Sequence, residues 1–123
     1  MFEEDYIIRT IKEMVRALLK LVCGVDTESP KDTLLEAEQS RECWEMLKNS
    51  IDVGDINVAE NQLSCYISSG EKDAFKIALL FYSYLNEKDD NYLEENDYTR
   101  EKIRTGLQTV ASGYGLDGLA DIF

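Results

Sequence analysis

The three cysteines of this 123-residue chain are its most reactive side chains, and thiols could bind a metal or act as nucleophiles. Cys23, Cys43 and Cys65 are odd in number and far apart in sequence, and no two of them form a C-x-x-C pair. A zinc site would need a fourth ligand and a thiol nucleophile would need an imidazole partner, yet the sequence contains no histidine. We therefore predict unpaired, partly buried thiols and no metal site.

Adjacent carboxylates are the next candidates for chemistry, because a pair of them could supply a general acid and a general base. The pairs Asp89-Asp90 and Glu94-Glu95 fall in a polar stretch, which offers no burial to shift a pKa. The glycine pattern of residues 113–118 follows a helical segment, whereas a phosphate-binding loop would follow a strand. We therefore assign no catalytic, cofactor-binding or metal-binding residues, and an enzyme ranks third among the functional hypotheses.

The residues best suited to bind a partner lie on the first helical segment. A basic stripe, defined as Arg9, Lys12, Arg16 and Lys20, falls on one side of this segment, and a broad apolar face falls on the other. An apolar face this wide must pack on the rest of the chain, on a second copy or on a membrane surface. Its members are Ile7, Ile8, Ile11, Met14, Val15, Leu18, Leu21, Val22 and Val25.

The formal net charge of −12 is distributed unevenly along the chain. Residues 1–24 carry as many basic as acidic groups, so all of the net charge falls within residues 25–123. An acidic chain of this kind should not bind nucleic acid non-specifically, because phosphate binding needs clustered lysines and arginines. Three interpretations of the basic stripe stay open: a solvated face, a partner for the acidic remainder of the chain, or a surface for anionic lipid.

Five helices are predicted from apolar periodicity and from residues that begin and end helices. The first runs from about Glu3 to Cys23, and the second begins at Ser29-Pro30, a typical start signal. Gly54-Asp55 separates the second helix from the third, which Ser68-Ser69-Gly70 closes. The fourth helix covers about 71–86. The polar segment 87–98 is then a connection, in which Tyr92 and Leu93 anchor the loop or form a helical turn. Thr99 or Asp97 caps the fifth helix. Residues 116–123 are predicted to pack back on the core.

The fourth helix is apolar nearly all round, which is typical of a helix buried on several sides. We therefore place it at the centre of one all-α domain that covers residues 1–123. Short links between helices favour antiparallel hairpins around it, with a long amphipathic helix at the amino terminus. The predicted centres of the core are Leu18, Leu47, Leu63, Ala78, Phe81 and Leu107.

Two resemblances add to this interpretation. One tetratricopeptide-like hairpin is suggested by the spacing of six residues, although no second copy is visible. They are Trp44, Leu47, Ile51, Ala59, Leu63 and Tyr66. Three parts of the chain together resemble a family of short, acidic, helical proteins from Gram-positive anaerobes, known only as a domain of unknown function. They are residues 1–9, the segment 54–63, and the stretch 98–103 with Gly106-Leu107 and Tyr114-Gly115. The resemblance implies a cytoplasmic helical protein and transfers no functional residues.

From these patterns we expect a cytoplasmic, non-catalytic protein–protein interaction module that needs no cofactor. No secretory signal or membrane-spanning run is visible, and the alternative is a peripheral membrane protein anchored by its first helix. We also hypothesise a homodimer in which this helix covers its own core and lends a flank to a second copy. Several aromatic residues could line a peptide-binding groove: Trp44, Tyr66, Tyr82, Tyr84 and Tyr114. Helical spacing favours the core for most of them. Tyr84 lies off the main stripe of its helix, so both interpretations stay open for it. The candidate partner-binding residues are Arg9, Lys12, Arg16, Lys20, Val15, Val22 and Tyr84.

Overall fold

The computed structural model describes residues 2–27, 29–69 and 73–116, and these contain α-helices and no strand. The all-α class predicted from the sequence is therefore confirmed, with one more helix than expected. The helices are α1 (Phe2–Cys23), α2 (Glu38–Asp52), α3 (Ile56–Ser68), α4 (Ala74–Asn86), α5 (Asp90–Glu95) and α6 (Arg100–Gly113).

Helix α4 is the centre of the domain, as its apolar sequence predicted. It packs against α1, α2, α3 and α6, while α1 also packs on α6 and α2 on α3. Two helix pairs therefore enclose α4. All six residues predicted as centres of the core are at most 2% exposed, which confirms the periodicity from which they were chosen.

The prediction that the second helix begins at Ser29-Pro30 is wrong. Residues Asp32–Leu34 form a single 3₁₀ turn, Leu35 is extended, and α2 begins only at Glu38. The physical reason is the burial of Leu35, whose side chain is fully inaccessible and whose carbonyl accepts a hydrogen bond of 2.8 Å from Arg41 Nε. A continuous helix would have run past the core, whereas the extended segment brings Leu35 into it.

The acidic connection after α4 contains the short helix α5. The Asp89 carboxylate accepts a hydrogen bond of 2.8 Å from the Tyr92 amide and caps this helix, and Leu93 is buried beneath it. Of the two caps considered for the last helix, Thr99 is the one used, because its hydroxyl accepts from the Lys102 amide. Asp97 instead adopts a left-handed φ of 57° at the end of α5.

The carboxyl-terminal end of α4 is closed by the buried guanidinium of Arg100. This group donates hydrogen bonds to the carbonyl oxygens of Asn86 and Lys88 and to the carboxylate of Asp90. Helix ends leave carbonyls without intrahelical partners and carry partial negative charge, so a cation there supplies both donors and charge. Arg100 thereby fixes the start of α6 beside the end of α4.

The predicted packing of the chain end falls mostly outside the described residues. Leu116 is half-buried against the core, and its amide donates to the Ala111 carbonyl at 2.8 Å. Residues 117–123 lie outside the described part of the chain.

Two leucines on α1 provide a matched test of the core. Leu18→Ala is expected to lower the free energy of unfolding by about 2–5 kcal/mol, because it removes transfer energy and leaves a cavity. Leu21→Ala, on the same helix but 63% exposed, is expected to change it by less than about 0.5 kcal/mol. Denaturant unfolding of both variants measures the difference, and equal losses would contradict the packing of α1.

Candidate functional site

The basic stripe of α1 lies at the surface, where its position on the helix placed it. Arg9, Arg16 and Lys20 are exposed and Lys12 is half-buried. Arg16 Nε lies 2.6 Å from the Asp26 carboxylate, and this guanidinium lowers the pKa of Asp26. Part of the stripe is therefore paired within the chain, as one of the three interpretations proposed. Exposed pairs of this kind add little stability.

The two valines predicted to form a flank for a second copy are placed differently by the fold. Val15 is 1% exposed in the core, so the prediction that it offers a surface is wrong. Its position lies on the part of the face that packs inward, together with Ile11 and Leu18. Val22 is 47% exposed and its neighbour Leu21 is 63% exposed, whereas Cys23 in the same turn of α1 is half-buried against the core.

Tyr84 belongs to a cluster that ties α2 to α4. Its ring meets Trp44 edge-on at 5.8 Å between centroids, and its hydroxyl donates to the Asp52 carboxylate. Lys88 Nζ lies 4.6 Å from the same ring and 3.0 Å from Asp52. Burial alone would raise the pKa of Asp52, but the hydrogen bonds from Tyr84 and Lys88 lower it below its usual value. The ring and the hydroxyl of Tyr84 therefore already have partners within the chain.

A cavity of about 220 Å³ lies beside this cluster, under the connection between α1 and α2. Pro30, Lys31 and Asp32 form one wall, and residues of α2 and α4 form the rest together with Glu87, which follows α4. The non-helical connection thus covers a side of α4 that no helix covers. It covers this side in part and leaves the cavity beside it.

A larger groove of about 600 Å³ lies between α3 and α6, and we call it the α3–α6 groove. Both helices pack on α4 and stand apart at its side, so Tyr82 of α4 is part of the lining. The amino-terminal ends of the two helices meet at the Asp97 carbonyl, which accepts from Asn57 Nδ2 and from Lys102 Nζ, each at 3.2 Å. The lining residues are Asn57, Glu60, Asn61, Ser64, Ile67, Ser68, Tyr82, Glu101, Lys102, Thr105, Gly106, Thr109 and Val110.

The floor of the groove is held by one carboxylate and two phenols. Glu60 Oε2 accepts a hydrogen bond of 2.7 Å from the Tyr82 hydroxyl and one of 2.8 Å from the Tyr98 hydroxyl. Tyr82 is 4% exposed and Tyr98 is 1% exposed, whereas Glu60 is half-buried and lines the groove. Hydrogen bonds to a charged acceptor are among the stronger ones in proteins, so this carboxylate is fixed in position.

Gly106 makes this arrangement possible. A Cβ atom at this position would lie 2.4 Å from both Cζ and Oη of Tyr82, which is closer than real Cβ contacts come. The phenol of Tyr82 therefore passes directly against the backbone of α6 on its way to Glu60. A glycine inside a helix lowers helix stability, so its presence here is explained by this close approach.

Sequence reasoning missed the most important members of this groove. Tyr82 was one of the aromatic residues weighed for a peptide-binding surface, but helical spacing favoured the core for it, and Glu60 was not singled out as a candidate residue. One signal was present: Gly106 stands in the middle of a helical pattern, where glycine often indicates that another group approaches the backbone. Periodicity could not reveal that Glu60 and Gly106 face each other, because that depends on how α3 and α6 pack.

Reactive and metal-binding side chains do not converge within the described ranges. Cys23, Cys43 and Cys65 are all free, and burial raises the pKa of the Cys23 and Cys43 thiols. Residues 2–27, 29–69 and 73–116 contain no group of three histidine, cysteine or acidic side chains placed to hold a metal. Among the helices of these same ranges, none is long and apolar enough to cross a membrane.

The close approach at Gly106 can be tested by adding one methyl group. Gly106→Ala is expected to lower the free energy of unfolding by about 1–3 kcal/mol, because the clash with Tyr82 outweighs the gain in helix propensity. Gly113→Ala, on the same helix with open space around it, is the control and should not destabilise the protein. In a Tyr82→Ala background the loss at Gly106 should disappear, and an unchanged loss there would contradict the contact.

The two phenols predict a dependence of stability on alkaline pH. Burial, and then the Glu60 carboxylate, raise the pKa of Tyr82 and Tyr98 well above their ordinary value of 10.0. Above about pH 10 the phenols ionise in the unfolded chain but stay protonated in the folded protein, which favours unfolding. The stability that these two phenols contribute is therefore fully present below that pH and falls progressively above it.

Denaturant unfolding between pH 8 and 11 measures this loss. By pH 11 stability should fall by about 1 kcal/mol less in Tyr98→Phe than in the unsubstituted protein. Tyr6→Phe removes a phenol that is 74% exposed and serves as the control. If Tyr98→Phe and the unsubstituted protein lose stability equally, the assignment of these protons is wrong.

Comparison with known proteins places the chain in a family without assigning it an activity. The matching family model is described as "Family of unknown function (DUF6483)" and covers residues 1–115. Neither a curated protein nor a solved structure matches the chain.

Proposed function

We propose that this chain, which belongs to the DUF6483 family, is a non-catalytic interaction module that binds a segment of a partner polypeptide in the α3–α6 groove. The observation that carries the proposal is the groove itself, of about 600 Å³, with a floor fixed by the bonds between Glu60, Tyr82 and Tyr98. A cleft with a rigid floor needs little rearrangement to accept a ligand, and low rearrangement favours affinity.

The length of the groove suits a peptide. Its lining on α3 extends from Asn57 to Ser68, which corresponds to about 16 Å at the helical rise of about 1.5 Å per residue. An extended chain covers that distance with about five residues. An elongated cleft of this size therefore supports a polypeptide segment more than a compact small molecule.

The chemistry of the walls also supports a polypeptide. Amide and hydroxyl groups follow both sides of the groove, from Asn57, Asn61 and Ser64 on α3 and from Thr105 and Thr109 on α6. The Ser64 and Thr109 hydroxyls donate to the carbonyls four residues earlier in their helices, so they offer a ligand their oxygens as acceptors. The backbone N–H and C=O groups of a bound segment lose water and need such partners. The walls can therefore form hydrogen bonds with the main chain of a bound segment whatever its sequence.

We propose further that α2 and α3 form a single tetratricopeptide-like hairpin. Five of the six positions of the resemblance are buried, Tyr66 is half-buried against the core, and α2 packs on α3. The five are Trp44, Leu47, Ile51, Ala59 and Leu63. This supports hairpin packing of that kind. The face of α3 that carries Asn57, Asn61 and Ser64 then lines the groove.

Two other hypotheses have less support. A membrane anchor would need the apolar face of α1, yet Ile11, Met14, Val15 and Leu18 are buried in the core. Self-association through α1 would rely on the exposed Leu21 and Val22 at its end, and it stays a prediction.

A peptide library displayed on phage tests the proposed function. Selection against the immobilised protein should enrich sequences whose synthetic peptides bind at micromolar or tighter affinity, as groove-binding modules commonly achieve. Ser64→Tyr places a large side chain in the groove and should weaken these peptides about tenfold or more. Gln62→Tyr, on the same helix but outside the groove lining, is the control and should leave their affinity unchanged.

Two results would overturn the proposal. One is that no sequence is enriched over a surface without protein. The other is that enriched peptides bind Ser64→Tyr and Gln62→Tyr equally, which would place their site elsewhere on the domain.

A further inference from the structure

The Glu60 carboxylate has one oxygen committed to the fold and a second that these bonds leave unused. Tyr82 and Tyr98 both donate to Oε2, and neither bond occupies Oε1. Glu60 is half-buried and lines the groove between two helices. A charged acceptor held in this way is preorganised for a donor that enters the groove, since its side chain loses no further freedom on binding.

The charges around Glu60 favour a cation. The groove contains a second carboxylate at Glu101, which lies 3.9 Å from the Arg104 guanidinium, and one ammonium at Lys102. The Lys102 ammonium already donates to the Asp97 carbonyl and lies 5.5 Å from the Tyr98 ring centroid, so its charge is engaged at one end of the groove. The chain as a whole carries a net charge of −12, which attracts basic partners over longer distances.

The shape and donors of the cleft favour a guanidinium over an ammonium. A guanidinium presents five N–H donors in a planar fork, which suits one carboxylate oxygen together with nearby amide and hydroxyl oxygens. Asn57, Asn61, Ser64 and Thr105 carry such oxygens along the same groove. The apolar stem of an arginine can lie against the groove wall while its head reaches the carboxylate.

We infer that the α3–α6 groove recognises an arginine side chain of the partner polypeptide, with the guanidinium bound by Glu60. The inference rests on the proposed function, because it identifies the residue that the bound segment presents to the floor. Glu60 is then the residue that determines specificity, and the hydroxyls of Tyr82 and Tyr98 position it.

Small molecules test this inference without knowledge of the partner. N-acetyl-arginine amide is titrated into the labelled protein, and amide chemical shifts of α3 and α6 are followed by NMR. We expect millimolar binding that moves resonances around Glu60. N-acetyl-citrulline amide has nearly the same shape without the charge, and it should bind the unsubstituted protein about tenfold more weakly or worse. The affinity of Nα-acetyl-lysine amide, which keeps its side-chain ammonium, should fall between those of the other two.

Variants locate the binding to one carboxylate. Glu60→Gln should weaken N-acetyl-arginine amide about tenfold, while its amide oxygen can still accept the tyrosine hydroxyls. Glu45→Gln removes the same charge from the exposed side of α2 and should leave binding unchanged. The comparison of arginine with citrulline needs no variant, so it decides the question even if Glu60→Gln fails to fold.

The outcomes separate this inference from the proposed function. Equal binding of the arginine and citrulline amides, or equal affinity in folded Glu60→Gln, would overturn the inference. If selected peptides bind in the groove and lack arginine, the inference fails while the proposed function stands. If the arginine amide binds through Glu60 but no peptide is enriched, the cation site stands and the polypeptide function fails.

Discussion

The burial of α4 is the constraint on which the rest of this structure depends. A helix that is apolar nearly all round cannot remain in water, so the chain must surround it with other elements. The four longer helices each contribute an apolar stripe to that task, and their stripes are in turn buried only because α4 is there. Enclosure also removes water from the end of α4, where the Arg100 guanidinium satisfies the carbonyls of Asn86 and Lys88.

The groove depends on the same burial. Tyr82 belongs to α4, yet its hydroxyl extends past the backbone of α6 at Gly106 to reach Glu60 on α3. One side chain of the central helix thereby fixes the position of a carboxylate on an outer helix. The hydrogen bonds among Glu60, Tyr82 and Tyr98 therefore stabilise the packing of the helices and also shape the floor of the groove. A larger side chain at Gly106 would alter both.

Helical periodicity was sufficient to predict the core and the fold class, because each apolar stripe is a local property of its own helix. The central place of α4 followed from composition alone. The start of α2 could not be predicted, since the burial of Leu35 depends on space that only the assembled helices create. Val15 was misassigned for a similar reason, because the width of an apolar face does not reveal how much of it the domain uses. The groove was missed because Glu60 and Gly106 come together only through the packing of α3 and α6.

The enclosure of one helix by four others has a geometric consequence. A cylinder touched by four cylinders of similar diameter keeps part of its circumference uncovered, because close packing around it would need more neighbours. The uncovered arc here is divided between the two seams that separate the α1 and α6 pair from the α2 and α3 pair. The connection between α1 and α2 covers part of one seam, and the other seam is the α3–α6 groove. In a bundle of this kind, a concave surface arises because too few helices surround the central one. The side chains along the seam then determine which ligands this surface can bind.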